Sequence, residues 1–334
     1  MNSDTPPGSH DNWAAVGRTR PVGATAVQLY LSKLSAGILA DVMLGAPNRD
    51  NWLLSEEDVA IADLSEFASR GGGSLVELTG SDRHGNPVAL QRVSLATGVR
   101  IVMGTGWYTS GWHGADFDKR SVGSLTEELV NAVNVGVDGS GIRAGIIGEI
   151  GTGTAHGDNT EERVVRAAAR ASRLTGAALS LHSPANATAL KAVLNLIKSE
   201  NADLNRVIAG HADLLAAEPD ALREIASQGV NIEFDMLGEP PLLTRSRPID
   251  SVIASTILKL IAAGYTDQIL LSQNVNEKTR LKAYGGTGYS FIEETFIPYL
   301  KHQGITEGQI RKLVELNPQR LLSMAAPGRE GAEP

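Results

Sequence analysis

The 334-residue chain contains no cysteine, which excludes disulfides, thiolate metal sites and a cysteine nucleophile. It also lacks a long apolar run: nothing approaches the ~20 apolar residues that a membrane-spanning helix needs. Residues 1–20 are polar, with Pro6-Pro7-Gly8 near the start and no stretch of signal-peptide length. A basic excess is missing too. Lys+Arg 30 against Asp+Glu 38 gives a formal charge of -8, which argues against a nucleic-acid surface. Neither G-x-G-x-x-G nor G-x-x-x-x-G-K-[ST] occurs, so the phosphate turn of an open nucleotide-binding sheet is absent. These absences leave a cytoplasmic protein acting on a small molecule as the expectation, without a nucleic-acid or membrane partner.

What is present is a globular α/β pattern. The composition is 42% hydrophobic, ordinary for a folded protein, and the length suits one large barrel or two average domains. Short apolar runs predict strands at 25–31, 74–79, 100–104, 144–150, 178–182, 206–211, 231–237 and 268–274. The later runs are continuous rather than alternating, as parallel strands covered on both faces require. Helical patterns lie between them. Asn159 with Glu162 predicts a capping box, as do Ser290 with Glu293 and Thr306 with Gln309. Leu190, Val193, Leu194 and Ile197 form one apolar stripe, and Pro298 predicts a kink. Eight strand–helix repeats without a phosphate turn favour a closed (β/α)8 TIM barrel over 21–324, between a loose arm 1–20 and a tail 325–334.

In a barrel the reactive side chains sit at the carboxyl ends of strands. Polar residues closing apolar runs are Glu149, His182, His211 and Asn274. Two imidazoles and a carboxylate on successive strands are a three-ligand set for one divalent metal, with zinc the expected ion. The plain alternative is that these are hydrogen-bonded interior groups and the site holds no metal. His10, His84 and His302 read as surface residues, and His113 and His156 as candidate proton shuttles on mouth-side loops.

Ordered motifs extend this reading. They include Gly104-Thr105-Gly106-Trp107-Tyr108, Gly145-Ile146-Ile147-Gly148-Glu149-Ile150-Gly151-Thr152 and Leu181-His182-Ser183. Gly210-His211-Ala212-Asp213, Glu233-Phe234-Asp235, Leu271-Ser272-Gln273-Asn274, Leu281-Lys282-Ala283-Tyr284-Gly285-Gly286 and Glu315-Leu316-Asn317-Pro318 continue the series. Over 23–322 the chain resembles the phosphotriesterase-like family of the amidohydrolase superfamily, nearest to its phosphotriesterase homology and lactonase branch. The resemblance implies a (β/α)8 barrel and metal-dependent hydrolysis of lactones, esters or phosphoesters. It implies a bridging ligand at Glu149 and histidine ligands at His182 and His211. Related barrels often form homodimers.

The departures are specific. Family members carry His-x-His on the first strand, where this chain has Gln28 and Tyr30, and an Asp on the eighth, where it has Asn274. An amide is a poor metal ligand and a poor base. One metal subsite has therefore lost its own ligands, whereas the other keeps Glu149, His182 and His211. Three readings follow. The first is hydrolysis of an ester-, lactone- or amide-like substrate at one metal, with Asp235, His156 or a Tyr30-bound water as base. The second is metal-independent acyl transfer or elimination at the same rim, and the third is a non-catalytic binder. Asn274 and Tyr30 are expected to orient substrate or water, and Gln28, Trp107, Tyr108 and Lys282 to line the substrate pocket. Glu233 is expected to form a structural ion pair.

Overall fold

The computed structural model describes residues 21–83, 85–114, 116–153, 159–239 and 248–328. Seven strands form one parallel sheet in chain order: β1 (Ser74–Glu77), β2 (Arg100–Thr105), β3 (Ile146–Gly151), β4 (Leu179–His182), β5 (Val207–Ala209), β6 (Asn231–Phe234) and β7 (Ile269–Leu271). A helix fills each crossover. They are α4 (Pro87–Thr97), α5 (Val122–Asn134), α6 (Asn159–Thr175), α7 (Ala187–Ser199), α8 (Pro219–Ala226) and α9 (Asp250–Ala262). Ahead of β1 lie α1 (Ala24–Leu31), α2 (Ala36–Met43) and α3 (Glu57–Ser69).

Strand parity sorts the side chains. Leu179 and Leu181 of β4, and Ile232 and Phe234 of β6, are fully buried under the helices in the main core. The opposite parity builds a separate inner cluster of Ile146, Ala178, Ile208 and Leu270. Leu321 closes that cluster from α12 (Asn317–Leu322). Each such burial is worth roughly 1.5–3 kcal/mol. With apolar residues filling both layers, the few polar residues of inner parity, such as Ser180, His182 and Glu233, stand apart as candidates for chemistry.

The expected strand at 25–31 is α1 instead. It buries no residue, and its Ala24, Ala26, Leu29 and Leu31 are strong helix formers. With no neighbouring strand to pair it, local propensity decides. The sheet therefore runs from β1 to β7 with seven strands among the described residues, rather than eight. The strand predicted at 206–211 also ends early, because His211 takes the left-handed conformation (φ 56).

The helix punctuation is partly as expected. Thr306 and Gln309 form a capping box opening α11 (Glu307–Arg311). Ser290 instead donates its hydroxyl to Glu294 at 3.0 Å. Pro298 lies in the first turn of α10 (Ile297–His302), directly after a π-helical turn, Ile292–Phe296, which absorbs the irregularity. The tail expected from 325 is fastened where it begins: Ala325 N–H donates to Gly176 (2.9 Å) and Gly328 N–H to Arg173 (2.8 Å). No helix among the described residues is long and apolar enough to cross a membrane.

Candidate metal centre

Three neighbouring strands deliver the central groups. Glu149 lies on β3, where the pairing with β4 shifts register between Ile147 and Ile150. Such an irregularity re-aims a side chain. Two glycines permit it. Gly148 has φ +149, and a Cβ there would lie 2.8 Å from Ser180, while a Cβ on Gly104 would collide with the Gly148 carbonyl. Glu149 N–H thereby reaches the Leu78 carbonyl at 3.3 Å. His182 closes β4, and His211 follows β5 by two residues.

The ligand-type atoms of Glu149, His182 and His211 all lie within 4.8 Å of one another. His182 Nδ1 is 3.1 Å from Glu149 Oε1 and 2.7 Å from His211 Nε2, and His211 Nε2 is 3.2 Å from the same Oε1. Asp235 accepts from His211 twice, at 2.8 Å from the ring Nδ1 and 2.9 Å from the backbone N–H. That orients the ring and turns its Nε2 toward Glu149 and His182. Tyr108, on the loop after β2, places its hydroxyl 3.2 Å from both His182 nitrogens.

Burial alone would raise the Glu149 carboxyl, but the two imidazoles outweigh it and hold it well below the ordinary carboxylate range. Burial likewise opposes a charged His211, yet Asp235 and then Glu149 hold that ring well above its ordinary value. Beneath them, burial and the Asp235 charge push Asp213 and Glu233 each up to about 8. Asp213 accepts the backbone N–H groups of Asp235 (2.9 Å) and Met236 (3.3 Å), so it pins the segment carrying the His211 partner.

Of the residues singled out from sequence, Glu149, His182, His211, Asp235 and Tyr108 come together. Others do not. Trp107 is 3% exposed and packs edge-on against Phe117 at 5.6 Å, so it belongs to the core rather than a substrate wall. Lys282 pairs with Glu66 and, at 2.7 Å, with Glu294. Its charge is spent on α3 and the turn at 292–296. Gln28 is exposed on α1, and Tyr30 packs edge-on against Trp52 at 6.2 Å, so neither occupies a strand end. Asn274 is half-buried in the loop after β7, where its carbonyl accepts from Asn276, and is not drawn into the hydrogen bonding of the trio. Glu233 has no ion-pair partner among the described residues; it lies beside Asp235, where burial and that neighbouring charge raise its carboxyl, rather than forming the expected pair.

His113 stacks on Phe117 at 4.0 Å, with its ring nitrogen 2.9 Å from the Tyr108 carbonyl oxygen. It supports the Tyr108 loop. His302 is exposed on α10, and His10, His84 and His156 lie outside the described residues. Sequence reading missed two residues. Asp213 sits inside the quoted Gly-His-Ala-Asp motif, and Arg83 follows β1 as a charged residue at a strand's carboxyl end, the criterion applied only to later strands.

Comparison with known proteins places the chain in a family. The model of the phosphotriesterase family matches residues 42–322. The chain is 33% identical over 282 residues to the N-acetyltaurine hydrolase of Dictyostelium discoideum, spanning 83% of this chain and 76% of that one. A resiniferatoxin-binding protein from Rhodobacter sphaeroides superposes with a TM-score of 0.86 at 33% identity, covering 93% of this chain and 88% of that chain. A lactonase from Listeria monocytogenes gives a TM-score of 0.75 at 26% identity, covering 83% and 89%. The chain belongs to the phosphotriesterase family. Two of these three relatives are named as hydrolases, and a hydrolytic enzyme is the class that fold and site define.

Proposed function

We propose that the chain hydrolyses a small amide or lactone at a single divalent metal held by Glu149, His182 and His211. One observation carries the reading. His182 Nδ1 has three polar neighbours within 3.2 Å, namely Glu149 Oε1, His211 Nε2 and the Tyr108 hydroxyl. A ring nitrogen can donate one hydrogen or accept one, so these contacts exceed its capacity, and a cation shared by the three donors relieves the conflict. A carboxylate with two imidazoles suits zinc in chemical type.

Such an ion supplies Lewis-acid polarisation of a carbonyl and a lowered pKa for water. The protein's own groups do the rest. Asp235 holds the His211 ring in place and keeps its Nδ1 proton, a positioning role in place of the expected base. Tyr108, with its phenolic O–H at the rim, can donate to the carbonyl oxygen or to a departing nitrogen. The amide and lactone classes are supported by the names of the hydrolytic relatives.

The test is metal analysis of protein purified without added zinc, joined to turnover on a panel of acetamides, lactones and esters. Stoichiometric metal, with turnover lost on chelation and returned by zinc, supports the proposal. Chelator-resistant turnover that vanishes in Glu149→Gln would replace it with metal-free acyl transfer. Tight binding without turnover would make the protein a binder.

A further inference from the structure

Arg83 has more hydrogen-bonding capacity at the mouth than the fold consumes. It ends the turn Ser81–Arg83 just after β1, with its side chain 20% exposed. Nη2 donates to the Leu78 carbonyl at 3.2 Å and lies 3.5 Å from Glu149 Oε2. That is the carboxylate oxygen turned away from the histidines, which contact Oε1. The guanidinium carbon stands 4.3 Å from the centroid of the Tyr108 ring. Nε is buried without a hydrogen-bond partner among the described residues. One oxygen of the neighbouring Asp82 accepts the Tyr108 N–H at 2.7 Å, and the Arg83 charge also acts on Asp82 and Glu77 without a direct hydrogen bond to either among the described residues.

A guanidinium has five N–H donors in a rigid fork. Here one is used on a carbonyl and one lies at the edge of reach of Glu149. The aromatic face of Tyr108 holds the fork flat while leaving its edge unsatisfied. Such a fork recognises a planar or tripodal oxyanion in bidentate fashion. Because Arg83 and the metal-type donors share Glu149 through different oxygens, a molecule seated at the centre lies within one small substituent of this cation.

We infer that Arg83 is a specificity-determining residue that selects ligands bearing a compact oxyanion, a carboxylate or sulfonate, close to the reacting acyl group. The inference rests on the hydrolytic reading for its substrate, though not for its binding prediction. It narrows the proposed amides and lactones to N-acyl amino acids, N-acyl aminosulfonates and their kin. Glu149 sets the reaction and Arg83 sets the charge of what enters.

The probes are N-acetylglycine, with its carboxylate, and N-acetylglycinamide, its neutral counterpart. Calorimetric binding and turnover are both measured on zinc-loaded wild type, Arg83→Gln and Arg83→Lys. Wild type is expected to bind the anion at least tenfold more tightly, Arg83→Gln to bring the ratio close to one, and Arg83→Lys to recover part of it through charge alone. N-Acetyltaurine in place of N-acetylglycine separates sulfonate from carboxylate preference. Equal binding of the charged and neutral probes by wild type, or an unchanged ratio in Arg83→Gln, overturns the inference. Binding preference without turnover of any probe supports Arg83 selection and removes the hydrolytic reading. Turnover without charge preference does the reverse.

Discussion

The two sides of the sheet differ in what they keep. From β3 to β6 the strands pair side by side, broken only by the register shift that re-aims Glu149; their outer residues are sealed under helices, and three donors converge at the rim. Ahead of β1, at 25–31, lies the segment for which the resemblance implies a first strand. There the chain is helical, α1 buries nothing, and Gln28 and Tyr30 point to other company. Clustered donors and well-packed strands thus coincide, and the stretch for which the resemblance implies a first-strand ligand pair has neither. The ligand-type set stands where the backbone beneath it is over-determined by packing.

The sharpest way to break this contrast is stability. Phe234→Ala on the sealed side should cost about 3–5 kcal/mol, by transfer and cavity terms together. Leu31→Ala on exposed α1 should stay within about 0.5 kcal/mol. Denaturant unfolding of both variants checks this, and comparable losses would mean that α1 is packed into the fold. Next in size, Glu149→Gln should lower zinc affinity by more than about 100-fold, exceeding what loss of an orienting partner does. Dialysis against a zinc buffer reads it directly.

Asp235→Asn is expected to have an intermediate effect, about 10–100-fold in zinc affinity. It also carries a pH signature. Because the His211 pKa lies well above its ordinary 6.5, the metal-free protein gains stability from it that is fully present below ~6.5. That gain is lost as pH rises through the folded value. Metal binding needs the neutral ring, so zinc affinity should climb by up to about tenfold per pH unit over the same window. In Asp235→Asn both slopes should flatten, and thermal scans with and without zinc across pH 6 to 9 would show it. The smallest effect belongs to the open side: Gln28→Ala and Tyr30→Phe should change turnover less than about twofold, in keeping with positions away from the strand ends. A larger loss would place these side chains at the mouth after all.

Much of this was legible in the chain itself, and for physical reasons. Strands β3, β5 and β7 carry runs such as Ile146-Ile147, Val207-Ile208-Ala209 and Ile269-Leu270-Leu271, whose continuous apolarity two-sided burial explains. The trio was legible because a charged or imidazole side chain closing such a run has few places to go but the mouth. The segment 25–31 misled because seven mixed residues satisfy strand and helix patterns alike, and pairing, which sequence does not display, was the deciding factor. Trp107 and Lys282 misled because side chains that only folding brings beside them, Phe117 and Arg120 for one and Glu66 and Glu294 for the other, set their surroundings. Arg83 escaped notice since its meaning depends on Tyr108 and Glu149, which approach it only in three dimensions.

The brevity of the two outermost strands has a consequence for life in a crowded solution. Among the described residues, β1 and β7 each pair on one side only, and they are four and three residues long. Such stubs offer too few rungs to template a passing chain, so a sheet left unclosed need not become a seed for fibres or runaway self-association.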